Sequence, residues 1–230
     1  MTHNSHSPLR NPALLLITAA LLPGQLHPQE RVMRPEFGAV ASTLGVGLEF
    51  GLAGDALGLR AGYYRLSFDR TEEIDGVRYH GGPDLENARA LLDVYPFGGA
   101  FRLTGGAIWS QSSADAEATL TAPLEIGGRT YQPAEVGEVR AHARYGRDLA
   151  PYLGLGFGTR GQVGFTFELG VAFTGRPSVT LTGQTNLTGP EKDEFDRNIA
   201  LEEEEIRRTI DDEPLLRYYP VVALGLKLRF

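Results

Sequence analysis

The chain has 230 residues, with 29 glycines, 14 prolines and no cysteine, and its formal net charge is −7. This length is enough for one domain, and the lack of cysteine excludes a disulfide framework. The acidic balance argues against nucleic acid as a partner and against a general affinity for anionic membrane surfaces.

Residues 1–29 have the pattern of a signal peptide, with a disordered leader or a buried helix as the alternative. Arg10 precedes an apolar run, residues 12–22, that is too short to span a bilayer as a helix, and Pro23-Gly24 ends it. We place the cleavage site between Gly24 and Glu30. Beyond this segment no apolar run is long enough for a transmembrane helix, so residues 30–230 could occupy a membrane only as a closed barrel.

Alternating apolar and small or polar residues predict β-strands along most of the remaining chain. These segments lie at residues 44–52, 57–63, 88–95, 101–110, 139–157, 163–181 and 219–230. A shift of the apolar register by one residue, to Tyr64, Leu66 and Phe68, predicts a bulge. We count seven clear strands and expect an eighth, at 36–42 or at 178–182, because both ends of a membrane barrel should lie on one side.

The connections between the strands alternate in length. Those after Ala53, Pro96 and Gly158 are short, whereas residues 71–86, 112–138 and 183–216 form long connections. Short periplasmic turns and long external loops are typical of outer-membrane barrels, so the external loops would include 76–83 and 122–138. Within the last connection, residues 190–213 predict a helix, because Pro190 suits a first turn and apolar residues recur at helical spacing.

The same alternation would fit a soluble sandwich or a lipocalin-like barrel. We favour a membrane barrel because the non-apolar face is rich in glycine, threonine and serine, which suits a narrow interior. Aromatic residues near strand ends also predict an interfacial girdle, formed by Tyr95, Phe97, Phe101, Phe157 and Phe230. The predicted fold is all-β: a closed antiparallel transmembrane β-barrel of about eight strands, with one helix in the last long connection.

Three segments carry a resemblance to a known group of proteins. Residues 95–106 (YPFGGAFRLTGG), 150–158 (APYLGLGFG) and 218–230, which end in Phe230, resemble small, eight-stranded outer-membrane β-barrel proteins of Gram-negative bacteria. The resemblance implies an outer-membrane location, outer-membrane lipid as a partner, and recognition of the last strand by the barrel-assembly machinery. The acidic helix departs from the simplest members of the group.

The charged residues on the non-apolar face are candidates for the lining of the barrel lumen. They could form an anion-favouring narrow pore for small solutes, or pair with one another and fill a structural barrel. These residues are Glu49, Arg60, Arg89, Asp93, Arg102, Arg140, His142, Arg144, Asp148, Glu168, Arg176, Lys227 and Arg229.

Two other functions are open. The long external loops could form a binding or adhesion module. A lipid-modifying enzyme would need a nucleophile with a base, yet His80 and His142 have no recognisable partner in the sequence and no metal-ligand spacing occurs. We therefore expect no enzymatic activity, no metal and no cofactor.

Overall fold

The computed structural model describes residues 33–74, 77–159 and 161–230. The predicted signal peptide, residues 1–29, lies outside the described residues. The described part forms fourteen strands, one α-helix and a short 3-10 helix at Pro214–Arg217. In chain order the elements are β1 Arg34–Ser42, β2 Gly45–Ala53, β3 Leu57–Ser67, β4 Arg70–Ile74, β5 Val77–Val94, β6 Phe101–Ser110, β7 Ser113–Leu120, β8 Leu124–Ile126, β9 Arg129–Tyr131, β10 Val136–Arg144, β11 Leu149–Gly158, β12 Val163–Ala172, β13 Ser178–Thr185, α1 Pro190–Asp212 and β14 Tyr219–Arg229.

Eight of these strands pair into a closed ring. Every neighbouring pair is antiparallel, in the order β1-β2-β3-β5-β6-β11-β12-β14 and back to β1. Both segments considered for the missing strand are strands, but only β1 belongs to the ring. β13 lies outside it.

The sheet that contains the ring has twelve strands, which is more than the sequence predicts. The reason is that β5 is 18 residues long and continues beyond the ring. Its part from Asp84 onward pairs with β3 and β6, whereas Val77–Asp84 pairs with β4 and β7. β10 then pairs with β7, and β13 with β10. We call β4, Val77–Asp84, β7, β10 and β13 the outer sheet.

The outer sheet corrects the prediction of long loops at 71–86 and 112–138. In β7, Ala114, Ala116 and Ala118 alternate with acidic residues and a threonine. Alanine is a weak strand former, so this alternation gives little signal. Residues 77–83 belong to β5, and the segment after β7 contains the β8–β9 hairpin.

The predicted bulge in β3 is also wrong. Pairing with β2 and with β5 runs through Tyr63 and Tyr64 without a break in register. Tyr63 points outward and is half exposed, whereas Tyr64 points into the ring and is fully buried. The sequence suggests a register shift because Tyr64, an aromatic residue, occupies an inward-facing position of the strand.

The helix α1 packs on the outer sheet. Its buried residues are Phe195, Asn198 and Ile199, and the Phe195 ring makes an edge-to-face contact with Tyr131, with centroids 5.3 Å apart. The Glu203 carboxylate accepts the backbone N–H of Leu181, so the helix also covers part of the edge of β13. Within the described ranges, no helix has the length and apolar character needed to cross a membrane.

Candidate functional site

The middle of the ring holds a cluster of buried charges. Strand alternation directs one or two charged side chains inward from each of β2, β3, β5, β6 and β12. We call this set the central cluster; it consists of Glu49, Arg60, Arg89, Asp93, Arg102 and Glu168.

Glu168 is the centre of this network. Its carboxylate receives all three guanidinium groups, at 2.5 Å from Arg60, 3.0 Å from Arg89 and 2.8 Å from Arg102. Arg60 also reaches Glu49 at 3.1 Å and Asp93 at 2.6 Å. The side chains of Arg89 and Glu168 are only 1% and 2% exposed, so these charges have almost no solvent contact.

Neutral hydroxyl groups complete the network. Tyr152 donates to Glu168 at 2.8 Å, Thr104 donates to Asp93 at 2.7 Å, and Tyr64 donates to Glu49. Sequence reasoning missed these three residues. Thr104 and Tyr152 have inward parity in the sequence, but parity alone does not say which polar residue reaches a charge, and the predicted bulge assigned Tyr64 to the apolar face.

The central cluster is balanced in charge. It contains three guanidinium groups and three carboxylates, and its members contact one another over short distances. Removing charges from water costs several kcal/mol per ion unless such pairing offsets the loss. An isolated basic lining would lack this compensation, so the geometry is that of a packed interior.

Inward-facing glycines make room for the large polar side chains. A Cβ on Gly156 would lie 2.7 Å from the Arg102 guanidinium carbon, one on Gly154 would overlap the Tyr152 hydroxyl oxygen, and one on Gly170 would lie 2.5 Å from the Tyr152 ring. All three contacts are closer than side chains approach in proteins. The volume of Arg102 and Tyr152 therefore explains Gly154 and Gly156 of the segment 150–158, and Gly170 on the neighbouring strand.

A second, smaller cluster lies toward the end of the ring where the chain ends. Glu36 on β1 accepts hydrogen bonds from Lys227 at 3.2 Å and from Arg229. Between this cluster and the central one is a cavity of about 20 Å³, bordered by Arg60 and Tyr95. That volume holds about one water molecule.

The ring interior also contains apolar side chains. Buried residues from β1, β5, β6 and β14 pack together, among them Val40, Leu91, Ile108 and Val221. Leu91 lies between Arg89 and Asp93 on the inward face of β5, so apolar and charged side chains are interleaved inside the ring.

The other predicted lining residues lie outside the ring. Arg140, His142 and Arg144 belong to β10 in the outer sheet, Asp148 precedes β11, and Arg176 precedes β13. Their side chains are about half exposed or more. They alternate like ring residues, but the strand that carries three of them has left the ring.

Two cross-strand pairs on the polar face of the outer sheet form what we call the outer ladder. His142 pairs with Asp115 at 2.6 Å, and Arg140 pairs with Glu117 at 3.2 Å. Arg140 also binds Glu138, and this hydrogen bond, with the nearby carboxylates, raises the pKa of Arg140. Arg144 and Arg176 pair elsewhere, with Asp148 at 3.6 Å and Asp211 at 3.1 Å.

His80 and His142, the two histidines within the described residues, are not arranged for nucleophilic catalysis. The Ser113 hydroxyl lies 3.5 Å from Asp115, and Asp115 in turn binds His142. A catalytic triad needs the imidazole between the hydroxyl and the carboxylate, whereas here the carboxylate is in the middle. His80 contacts the Thr71 hydroxyl at 2.9 Å. Among residues 33–74, 77–159 and 161–230, no three His, Asp or Glu side chains form a metal-binding group.

The fold is similar to that of two proteins of Acinetobacter baumannii with solved structures. CarO2 is 21% identical, with a TM-score of 0.60, and the match covers 86% of this chain and 99% of that one. CarO is 20% identical, also with a TM-score of 0.60, and the match covers 88% and 100%. No family model and no curated protein matches the sequence. At this identity the likeness shows the fold alone.

Proposed function

We propose that the ring is a transmembrane β-barrel of the bacterial outer membrane. Each ring strand is at least nine residues long, as a tilted spanning strand requires, and a closed ring leaves no unpaired edge in lipid. The fold shared with the two Acinetobacter proteins supports the same placement.

The outer surface of the ring carries the strongest support. Soluble proteins rarely expose apolar patches larger than several hundred Å². Here all eight ring strands present exposed apolar side chains, namely Phe37, Val46, Leu48, Phe50, Leu57, Leu59, Tyr63, Leu92, Val94, Leu103, Trp109, Leu149, Leu153, Leu155, Phe157, Val163, Phe165, Leu169, Val171, Val222, Leu224, Leu226 and Leu228.

The two ends of the proposed barrel differ. The short turns after β2, β5 and β11 and residue Phe230 lie at one end, which we assign to the periplasm. The outer sheet and the two-residue turn between β1 and β2 lie at the other end, which we assign to the exterior. Phe97 and Phe157 each contact Phe101 near the periplasmic end, in keeping with an interfacial girdle. Tyr95 does not belong to that girdle, because it is buried inside the ring. In this arrangement Phe230 ends the strand offered to the barrel-assembly machinery.

We further propose that the barrel is closed to solutes and serves as a rigid support for the outer sheet and α1. The single observation that carries this function is the charge-balanced central cluster, centred on the threefold contact at Glu168. It fills the lumen with paired groups, leaving a cavity of about 20 Å³ beside it. Eight strands enclose an interior just wide enough for such side chains.

Planar-bilayer recording tests the closed lumen. We expect the wild-type protein to give no stable conductance, and Arg89→Ala/Glu168→Ala to give measurable current, because this pair of substitutions removes volume while keeping the cluster balanced. Arg140→Ala/Glu117→Ala, which removes a pair from the outer ladder, serves as the control and should stay silent. Steady anion-selective current through the wild type would contradict the proposal and favour the narrow pore.

The membrane location has its own test. Fractionation should place the full chain in the outer membrane, with a gel mobility that changes on heating. A soluble periplasmic protein without that change would overturn the barrel and its location together.

A binding role for the external part is a second candidate. The observation in its favour is that the expected loops are ordered strands with a core of their own, which includes Tyr131, Val136 and Phe195. An ordered unit of this kind can present a fixed binding surface, whereas flexible loops would first have to be ordered.

A further inference from the structure

The apolar face of the outer sheet contains a cavity of about 230 Å³. Its floor is made by Ala116 and Ala118 on β7 and Ala141 on β10, with Ala116 directly opposite Ala141. Alanine side chains end at Cβ, whereas neighbouring Leu120 and Leu181 fill the space above the sheet. The difference in side-chain length leaves the gap.

The walls of the cavity come from three other elements. Tyr79 on β5 lies on one side, Leu124 and Ile126 of the β8–β9 hairpin on another, and Ile199 of α1 on a third. Ile126 and Ile199 are themselves buried, in the core that holds α1 on the sheet. Ordered elements therefore form the cavity, and its walls are apolar or aromatic.

Two carboxylates are the charged groups among the described lining residues. Glu202 accepts the backbone N–H of Gly127 at 2.8 Å through one oxygen, and its other oxygen has no recorded partner within the described residues. Glu125 lies between Leu124 and Ile126 in β8 and is exposed, so its side chain points to the other face of the hairpin and Glu202 is the carboxylate that faces the cavity. The electrostatic potential around the cavity is also negative, since α1 contains ten acidic and four basic residues.

We propose that this cavity binds a small organic cation with an apolar body. The apolar body would displace water from the alanine floor, and the ammonium group would lie beside Glu202. A cavity of about 150 Å³ lined by aliphatic side chains accommodates benzene, so this larger one has room for a single ring with a short amine-bearing arm. Apolar walls with few charged groups are the usual composition of a small-molecule site.

Calorimetric titration of the full chain in lipid nanodiscs tests this site, with 2-phenylethylammonium as the probe and empty nanodiscs as the blank. We expect saturable binding to the wild-type protein and much weaker binding of neutral 2-phenylethanol. Equal affinity for the alcohol, or no saturable binding of the amine, would overturn the assignment.

Two matched pairs of variants locate the site. Ala118→Leu should fill the cavity and abolish binding, whereas Thr119→Leu, on the opposite face of the same strand, should bind normally. Glu202→Gln should weaken binding of the amine about two- to fivefold, the contribution of a partly exposed charge pair. Glu205→Gln removes the same charge from an exposed position of α1 and should have little effect.

The outcomes are separable from those of the proposed function. Heat-dependent gel mobility of each variant reports whether the ring has folded, and far-ultraviolet circular dichroism, which includes the signal of α1, reports whether the outer part has folded. Lost binding in a variant that passes both tests concerns the cavity alone. Unchanged binding by folded Ala118→Leu would refute the site. A wild-type protein that conducts ions would refute the closed barrel while leaving the cavity untouched.

Discussion

The central cluster and the outer ladder are built from the same residue types on the same alternating pattern, but they differ in burial. Arg89 and Glu168 have side chains 1% and 2% exposed, whereas His142 and Asp115 have side chains 46% and 62% exposed. In water an ion pair gains little because solvent screens it. Inside the ring each charge depends on its partners, since no solvent replaces a lost one.

This difference shows that forming an ion pair does not by itself make a charged residue important for stability, because the pair must also be buried. Glu168 has three guanidinium partners and a tyrosine hydroxyl, all enclosed by the ring. Asp115 also has a partner, but water reaches both members of that pair. Four predictions test the contrast, from the largest expected effect to the smallest.

The largest effect is expected for Glu168→Gln. The substitution keeps the shape of the side chain but leaves Arg60, Arg89 and Arg102 with one carboxylate fewer, and breaking a buried pair costs about 3–5 kcal/mol. Denaturant unfolding in lipid vesicles, followed by the fluorescence of the single tryptophan, Trp109, would measure the free energy of unfolding. A loss below about 1 kcal/mol would show that the central cluster is no more important than a surface pair.

The second largest loss of stability is expected when a buried hydroxyl group is removed. Tyr152→Phe removes the buried hydrogen bond to Glu168, and bonds to charged groups contribute about 1.5–3 kcal/mol. The matched control is Tyr63→Phe, which removes a hydrogen bond to Glu86 of similar length, 2.9 Å, on the outer surface of the ring, and it should cost less than Tyr152→Phe because no network of buried charges depends on that hydroxyl. Equal losses in the two variants would contradict the role assigned to burial.

A glycine substitution probes the packing of the same interior. Gly170→Ala would press a methyl group against the Tyr152 ring, and such overpacking costs about 1–3 kcal/mol. In Gly105→Ala the nearest atom is the Leu153 Cδ2 at 3.6 Å, an ordinary contact, so the unfolding midpoint should stay close to that of the wild type. If the two variants unfold alike, the inward glycines are not needed for packing.

The smallest effect is expected for Asp115→Asn in the outer ladder. Its pair with His142 is exposed, so the change in the free energy of unfolding should be at most about 1 kcal/mol, and at a pH low enough to protonate histidine it should shrink as salt is added. Unfolding curves at low and high ionic strength would measure both. A large, salt-independent loss would mean that this pair is shielded from water.

The sequence predicts the ring better than it predicts the outer sheet. Long aliphatic and aromatic side chains alternate through β2, β11, β12 and β14, and that signal is strong because the outward face is uniformly apolar. In the outer sheet, alanines of β7 form the apolar face, and the charged face resembles a loop in composition. The strands there are stabilised by neighbours distant in sequence.

The residues that line the lumen could be predicted only from parity, that is, from whether they occupy odd or even positions along a strand. Parity identifies which residues of a strand share a face, and it groups Arg60 with Arg140. It cannot tell that β3 closes the ring while β10 pairs with β7 and β13 outside it. Glu36 is absent from the predicted lumen lining for a related reason: its strand, β1, has short side chains that give a weak alternating pattern.

The length of β5 has a mechanical consequence. The seven residues from Val77 to Pro83 extend about 23 Å beyond the part of β5 that pairs with β3, at the usual rise per residue. On either side of β5, β4 continues the register of β3 and β7 continues the register of β6. A force applied to the outer sheet would therefore reach the ring along neighbouring strands and would load their hydrogen bonds in shear rather than peel them apart singly. The outer sheet would therefore keep its position and orientation relative to the ring when a neighbouring molecule presses on it.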